Sequence, residues 1–409
     1  MMKKLIVWAG VALLTGCTEP AGLKVLVKNP TAVVRENEMM EIATEIVFER
    51  LQLKDTDQFV IYDEEGNEIP YQLTYDEKVV FPVDVDSMET VAFTFQEGEP
   101  EMVNTLVFGT QYPEWQDDLV WENDKMAYRV YGPDVQQRGQ KAFGYDIFTK
   151  NVSEPVMESR YGLLLNEETW NTIKKLREEG HKELADSIEN SISYHVDHGT
   201  GMDCYQVGAT LGSGTTALME GGKILYPYCY NDFEILDNGP LRYTMRLKFT
   251  PLAVKNDSNV VESRLIQLDR GAYLNKTIVS YENLTDRYKL ATGLVIHEPY
   301  ADRYKMNLQE GYMAYADPTQ NVHNGNGIIY VGAVFPSNVQ DMKVQLFEKP
   351  IERALGHVLA LNDYIPGDDF VYYWGAGWSK AGFATDDEWV SYLKTFAAKV
   401  RNPLIVEIE

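Results

Sequence analysis

Cysteine is scarce in this chain of 409 residues: there are three, at positions 17, 204 and 229. No CxxC pair and no Cys/His ladder occurs, so ligand count alone excludes a zinc finger or an iron–sulfur centre. Positive charge is also short. Lys and Arg number 37 against 62 Asp and Glu, a formal net of −25. Such a surface repels phosphate backbones, and no nucleic-acid partner is expected. Past the first residues no stretch approaches ~18 unbroken apolar positions, so nothing there reads as a membrane span. Proline and glycine show no excess, which argues against a fibrous or linker-rich chain. What is present is a 44% apolar and 12% aromatic chain. That is too apolar for a disordered protein and long enough for two domains.

The N-terminus reads as an address. Lys3 and Lys4 precede a short apolar run, Leu5 to Leu14, that ends in Leu14-Thr15-Gly16-Cys17. A charged start, an apolar stretch and small residues before cysteine have the order of a bacterial lipobox, with residues 1–16 removed and Cys17 lipidated. No acidic run follows Cys17, so the expected location is the periplasm, anchored to the inner leaflet of the outer membrane. A periplasmic chain can keep disulfides. Cys204 and Cys229 can pair, or both can be small buried hydrophobes.

The rest is expected to be all-β dominated. Residues 17–110 form a small β unit, with strand-like runs at 24–28, 42–47, 58–62 and 91–95 divided by turn residues. A Gly/Pro-rich acidic stretch near 97–101 marks the boundary. Residues 118–409 carry longer alternating runs at 126–131, 241–249, 263–268, 274–281, 292–297 and 327–331. No helical crossover pattern lies between the runs from 241 to 331, which predicts antiparallel sheets stacked as a sandwich. Two accessory helices stand out. One runs from Asn166 to Asn190. The other follows a capping box, Thr385 with Glu388, and ends before Pro403. Leu404–Ile408 reads as a closing strand.

Four clusters carry polar chemistry. The densest is Tyr194-His195-Val196-Asp197-His198-Gly199-Thr200-Gly201-Met202-Asp203-Cys204-Tyr205. If 194–198 is a strand, His195 and Asp197 share one face and Tyr194 and His198 the other. Imidazole, phenol and carboxylates are the ingredients of acid–base catalysis. The same residues also suit a decorated glycine turn, or a divalent metal on His195, Asp197 and Asp203, although the spacing matches no strong metal motif. A second cluster, Arg129, Tyr131, Arg138, Lys141 and Lys150, is a local excess of cations. A guanidinium fork suits a sugar carboxylate, and balancing of nearby acids is the alternative. The third places His297 at the end of a strand, as a rim group or a satisfied core histidine. The fourth is Tyr372-Tyr373-Trp374-Gly375-Ala376-Gly377-Trp378-Ser379-Lys380. Here Trp374 and Trp378 offer faces for sugar stacking, or fill a core.

The strings HVDHGTGMDCYQVG (195–208, from His195), LNK (274–276), GLVIHE (293–298) and YYWGAGWSK (372–380) resemble an uncharacterised domain-of-unknown-function family of secreted Bacteroidetes proteins. The resemblance covers nearly the whole mature chain. It implies a galactose-mutarotase-like β-supersandwich behind a small N-terminal β-sandwich. Members sit among polysaccharide-degradation genes, and some relatives look like carbon–oxygen lyases or dehydratases acting on uronate oligosaccharides.

The expected function is therefore β-elimination on a uronate-containing oligosaccharide. Arg129 would neutralise the carboxylate and His195 would be the base, with His297 its rival and Tyr205 the acid. Asp197 would orient His195, and Asp203, Tyr131, Arg138, Lys150, Trp374, Trp378 and Lys380 would complete the substrate site. No cofactor is expected, with a divalent metal the less favoured option. The alternatives are a glycoside hydrolase using Asp203 with Asp197 or Glu298, and a sugar-binding lipoprotein without a base. The anchor is tested directly. Cys17→Ser should abolish lipid labelling and release the protein from the membrane fraction, whereas unchanged labelling contradicts the lipobox.

Overall fold

The computed structural model describes residues 22–54, 56–320 and 325–409. Cys17 and the expected leader lie outside these residues. The fold is dominated by antiparallel β-sheets.

The front unit is built from short alternating strands. In Leu23–Lys28 the odd positions Leu23, Val25 and Val27 are buried while Lys24 and Lys28 face water. Period-2 patterning of this kind fixes which face meets the core. This strand lies between Thr90–Glu97 and the C-terminal strand Ile405–Ile408, and Phe59–Tyr62 and Glu68–Ile69 extend the sheet. A second, three-stranded sheet of Arg35–Ala43, Lys78–Val85 and Gln72–Leu73 closes the sandwich over Phe59, Phe81, Phe93 and Phe95. The last strand of the chain therefore belongs to the front sheet, and a division at 110/118 does not separate the two units. The run at 42–47 is a strand only to Ala43; Thr44–Leu51 is a helix that buries Val47.

Residues 98–107 lead into the larger part. A five-stranded sheet has Ser213–Glu220, Tyr288–His297 and Ala354–Tyr364 at its centre. A nine-stranded sheet includes Asp257–Asp269, Leu274–Glu282, Phe370–Trp378, Ile329–Val334 and Tyr312–Asp317. Ser213–Glu220 packs on Ile329–Val334 and Phe370–Trp378 of the other sheet. The apolar inner faces thus stack as the expected sandwich. A four-stranded sheet of Phe108–Tyr112, Asp118–Glu122, Met126–Val130 and Asp146–Thr149 sits beside it.

The expected helix over 166–190 is two helices, Glu167–Glu178 and Lys182–Ile192, because Gly180 breaks the run at φ +85°. Asn166 caps the first by accepting from the Thr169 amide. The capping box forms as expected, with Thr385 accepting from the Glu388 amide at 3.2 Å. The helix Asp386–Arg401 lays Trp389, Leu393 and Ala397 on the outer face of the nine-stranded sheet. Cys204 and Cys229 are both buried and free, which settles the pairing question against a disulfide.

The front unit is held to the sandwich by buried polar contacts. Gln72 accepts from the amides of Leu241 and Arg242, each at 2.8 Å. Arg242 bridges Glu41 and Asp269, at 2.5 and 2.6 Å. Burial pushes the Glu41 carboxyl up, but Arg242 and Lys78 more than offset this and hold it at about 2. A nick within 98–107 should therefore leave two pieces that co-elute under native conditions, since Leu23–Lys28 is bonded to the chain's last strand. Separation of the pieces in gel filtration contradicts this arrangement.

Candidate active site

Met126–Val130 places Arg129 directly opposite Asp146 across the strand pair. Cross-strand neighbours of opposite charge meet at this spacing. Asp118 starts the strand on the other side, and Asp203 arrives from the 194–205 segment, which joins the sheet through a bridge to Phe148 and hydrogen bonds between Thr149 and Met202. All three carboxylates converge on one guanidinium. Arg129 Nη1 lies 3.2 Å from Asp118 Oδ2, Nη2 lies 3.0 Å from Asp203 Oδ2, and both Nε and Nη2 donate to Asp146 Oδ2. The remaining contacts are to Tyr194 Oη at 3.2 Å and Tyr131 Oη at 3.0 Å. Tyr131 donates in turn to Asp146, and Tyr161 donates to Asp118. The fork is buried and spent within the protein. Arg129 therefore does not have the role expected of it, neutralising a substrate carboxylate, and Tyr131 and Asp203 belong to its network.

The 194–198 segment is a turn, not a strand. Tyr194 points inward to Arg129, and His195 has a side chain 55% exposed, with Nδ1 3.1 Å from the Asp203 carbonyl oxygen. Asp197 does not orient it: its Oδ1 accepts from the amides of Gly199 and Gly201 at 2.9 and 3.0 Å. Gly201 has φ +97°, and a Cβ there would meet the Thr149 carbonyl oxygen at 2.1 Å. Only glycine allows that approach. Arg160 clamps the loop by donating to the Thr200 carbonyl at 2.6 Å. Much of the HVDHGTG string is thus loop engineering that delivers Asp203 and Tyr205.

Three further expectations are corrected. Lys150 is fully buried, 2.6 Å from Glu122, whose carboxylate also accepts from the Val156 and Met157 amides; the pair anchors a helix start. Arg138 is exposed and pairs with Asp134 one turn earlier. Trp374 and Trp378 have no exposed surface, Trp374 stacking on Tyr145 with centroids 3.9 Å apart, so neither offers a face to a sugar. Lys380 remains exposed, its Nζ 5.3 Å from the Trp378 ring centre, and it makes no ion pair among the described residues. No group of three His, Cys, Asp or Glu side chains is arranged to hold a metal among the described residues, and no described helix is long and apolar enough to cross a membrane.

His297 ends the strand Tyr288–His297, where a register shift against Ala354 re-aims the last residue. Its backbone exchanges two hydrogen bonds with Tyr315 Oη, at 2.9 and 3.0 Å. Its Nδ1 lies 2.6 Å from Asp317 Oδ2, and Asp317 Oδ1 accepts from the Thr319 amide at 2.8 Å. Histidine and aspartate come from opposite sheets of the sandwich. A carboxylate on Nδ1 fixes the tautomer and leaves Nε2 as the basic nitrogen. That Nε2 is buried and has no partner among the described residues. The Tyr205 ring stands edge-on to His297 with centroids 6.1 Å apart, and its buried hydroxyl likewise has no partner among the described residues. Gln320 fixes the distance, its amide donating to the Cys204 carbonyl at 2.7 Å and its side chain to the Tyr205 carbonyl at 2.9 Å. Burial raises the Tyr205 phenol well above its ordinary value, and the charges of Asp317 and Asp146 add to this. The tyrosine is thus held protonated beside an imidazole whose free nitrogen can accept a proton. Asp317, Asp146 and Asp118 were not singled out from the sequence, since none lies in a string that marks chemistry by itself.

The Arg129 network makes its own prediction. Arg129→Lys should lower stability by roughly 3–5 kcal/mol, because a point charge cannot serve three separated carboxylates and leaves buried charge without a partner. Chemical denaturation checks this, and an unchanged midpoint contradicts it.

With the geometry in place, the chain can be compared with known proteins. An uncharacterized protein, P7, from Formosa agariphila is 24% identical over 410 residues, covering 94% of this chain and 93% of that one. Among solved structures, a glycosyl hydrolase family 38 protein from Enterococcus faecalis aligns at TM-score 0.46 and 8% identity over 96% of this chain and 48% of its own. An α-mannosidase from Enterococcus faecalis V583 aligns at 0.47 and 8%, over 96% and 46%. The chain spans about half the length of each, and no role is carried over from these loose likenesses. A model of the domain of unknown function DUF4861 matches residues 27–406, and the chain belongs to that family.

Proposed function

We propose that the protein is a carbon–oxygen lyase that performs β-elimination on uronate-containing oligosaccharides, with His297 as base and Tyr205 as acid. The observation that supports this most is the pair of buried acid–base atoms, His297 Nε2 and Tyr205 Oη, that have no partner among the described residues, with Asp317 holding the imidazole. In the reaction His297 removes the proton at C5. The C–H electrons form the C4–C5 double bond, the C4–O bond breaks, and Tyr205 protonates the departing oxygen. Charge builds on the carboxylate next to C5 as the proton leaves, so a cation must sit beside it. Lys380 takes that role in place of Arg129. Its ammonium lies close enough to Cys204 to pull that thiol's affinity for its proton down, against the burial that raises it. Lipid anchoring through Cys17 would place this chemistry in the periplasm, on fragments already small enough to enter.

The paired-carboxylate reading loses Asp197 to its turn and Asp203 to Arg129. The pure binding reading loses its tryptophan platform to the core.

A panel of uronate oligosaccharides should yield a product whose new double bond, conjugated to the carboxylate, absorbs in the ultraviolet. His297→Ala and Asp317→Asn should each lower turnover by about 10²–10⁴-fold in protein that is still folded by circular dichroism, and Tyr205→Phe should do the same while removing one hydroxyl and almost no volume. His195→Ala should stay within a few-fold of the parent. Loss of activity in His195→Ala, with His297→Ala active, overturns the assignment.

A further inference from the structure

A broad cleft away from His297, Asp317 and Tyr205 opens elsewhere in the molecule. It lies where the front unit, inner strands of the nine-stranded sheet and the helix Asp386–Arg401 meet, and encloses about 1100 Å³. We infer that this cleft is a second binding site, for an anionic saccharide. The inference does not rest on the elimination reading.

The charge distribution carries the argument. Among the described residues, most cations without an ion-pair partner are exposed, and partly buried ones are the minority. Three face this cleft: Arg270, Lys276 and Lys399. Among the described residues none of their side chains forms an ion pair, although all are partly buried. Burial lowers the Lys399 ammonium below its ordinary value, and nearby Arg35 adds to this while Glu38 opposes it. An ammonium half withdrawn from water without a counter-ion is costly, and an arriving anion offsets that cost. The acids in the same walls are already engaged: Glu41 and Asp269 hold Arg242, Asp124 holds Lys125, and Glu38 holds Arg35. Only Glu36 is left without a salt-bridge partner.

The remaining lining suits a sugar. Tyr273, Tyr373 and Tyr392 supply ring surface, with Tyr273 and Tyr392 packed edge to face at 5.5 Å. Aromatic faces take the apolar C–H face of a sugar ring. Gln267, only 7% exposed, has a buried Oε1 with no partner among the described residues, an acceptor ready for a hydroxyl. A long polyanion would meet the repulsion of the whole surface, whereas a short saccharide meets the local cations alone. Carboxylate and sulfate ester share the required chemistry.

The test is calorimetric titration of the full mature chain carrying His297→Ala, so that no turnover interferes. The probes are an oligogalacturonate, a sulfated oligosaccharide and a neutral cello-oligosaccharide. At least one charged probe should bind, and Lys276→Gln with Lys399→Gln should weaken it about tenfold or more while the melting temperature holds. Binding of one charged probe alone would identify the carboxylate or the sulfate as the ligand group. If the double variant does not fold, Lys276→Gln by itself, at a half-buried site without an ion pair, should still weaken binding. Charged and neutral probes binding equally, no binding of either charged probe, or affinity unchanged in the lysine variants would overturn the proposal.

Discussion

One guanidinium organises the region around the candidate site. Arg129 reaches Asp118, Asp146 and Asp203, which arrive from two neighbouring strands and one long loop. Without it, three carboxylates would lie together in a buried space, a state of several kcal/mol of unrelieved repulsion and desolvation. With it, the loop carrying Asp203 is fixed against the four-stranded sheet, and the residues that follow are delivered to the sandwich rim. Tyr205 stands two positions beyond Asp203, so its distance from His297 is inherited from that anchor. Gln320 then ties the same segment to the Asp317 side.

The imidazole is positioned from the opposite direction. His297 closes a strand of one sheet and Asp317 closes a strand of the other, so their 2.6 Å contact spans the sandwich edge. A pair built this way depends on how the sheets stack. Rigid elements hold such geometry better than loops do. Arg353 supports both ends, donating to the Thr319 carbonyl at 2.8 Å and to the Glu298 carbonyl at 2.7 Å.

Strand positions were legible because alternation is a local signal: Leu23–Lys28, Arg242–Phe249 and Leu274–Glu282 lie where β-rich runs predict them. The helix Thr44–Leu51 was not, since Ile42 to Val47 fits both periods and only the tertiary contact of Val47 decides between them. Within the site, His297 and Tyr205 could be named from strings, but Arg129 was given the wrong task. Its partners lie at 118, 146 and 203, and nothing local says that they converge. Trp374 and Trp378 share the difficulty in another form. Alternation places them on one face, and only the stacked second sheet makes that face an interior.

The same network carries a charge imbalance that the fold does not remove. One guanidinium against three carboxylates leaves an excess of negative charge under burial, and the least costly relief is to keep a proton. Burial and the charge of Asp146 push Asp203 up to about 6 from 3.8, against the pull of Arg129 and His195, and its Oδ1 has no partner among the described residues. The sign follows from linkage. Between those values the native state holds a proton that the unfolded chain has released, so this group's contribution to stability falls as pH rises through the window. Above it the carboxylate is charged and the cluster is at its most strained. Asp203 also touches the partly exposed His195, so the proton has a route to solvent that bypasses the buried tyrosine. The anchor that sets the position of Tyr205 therefore responds to pH at a place apart from the His297–Asp317 pair that would do the chemistry.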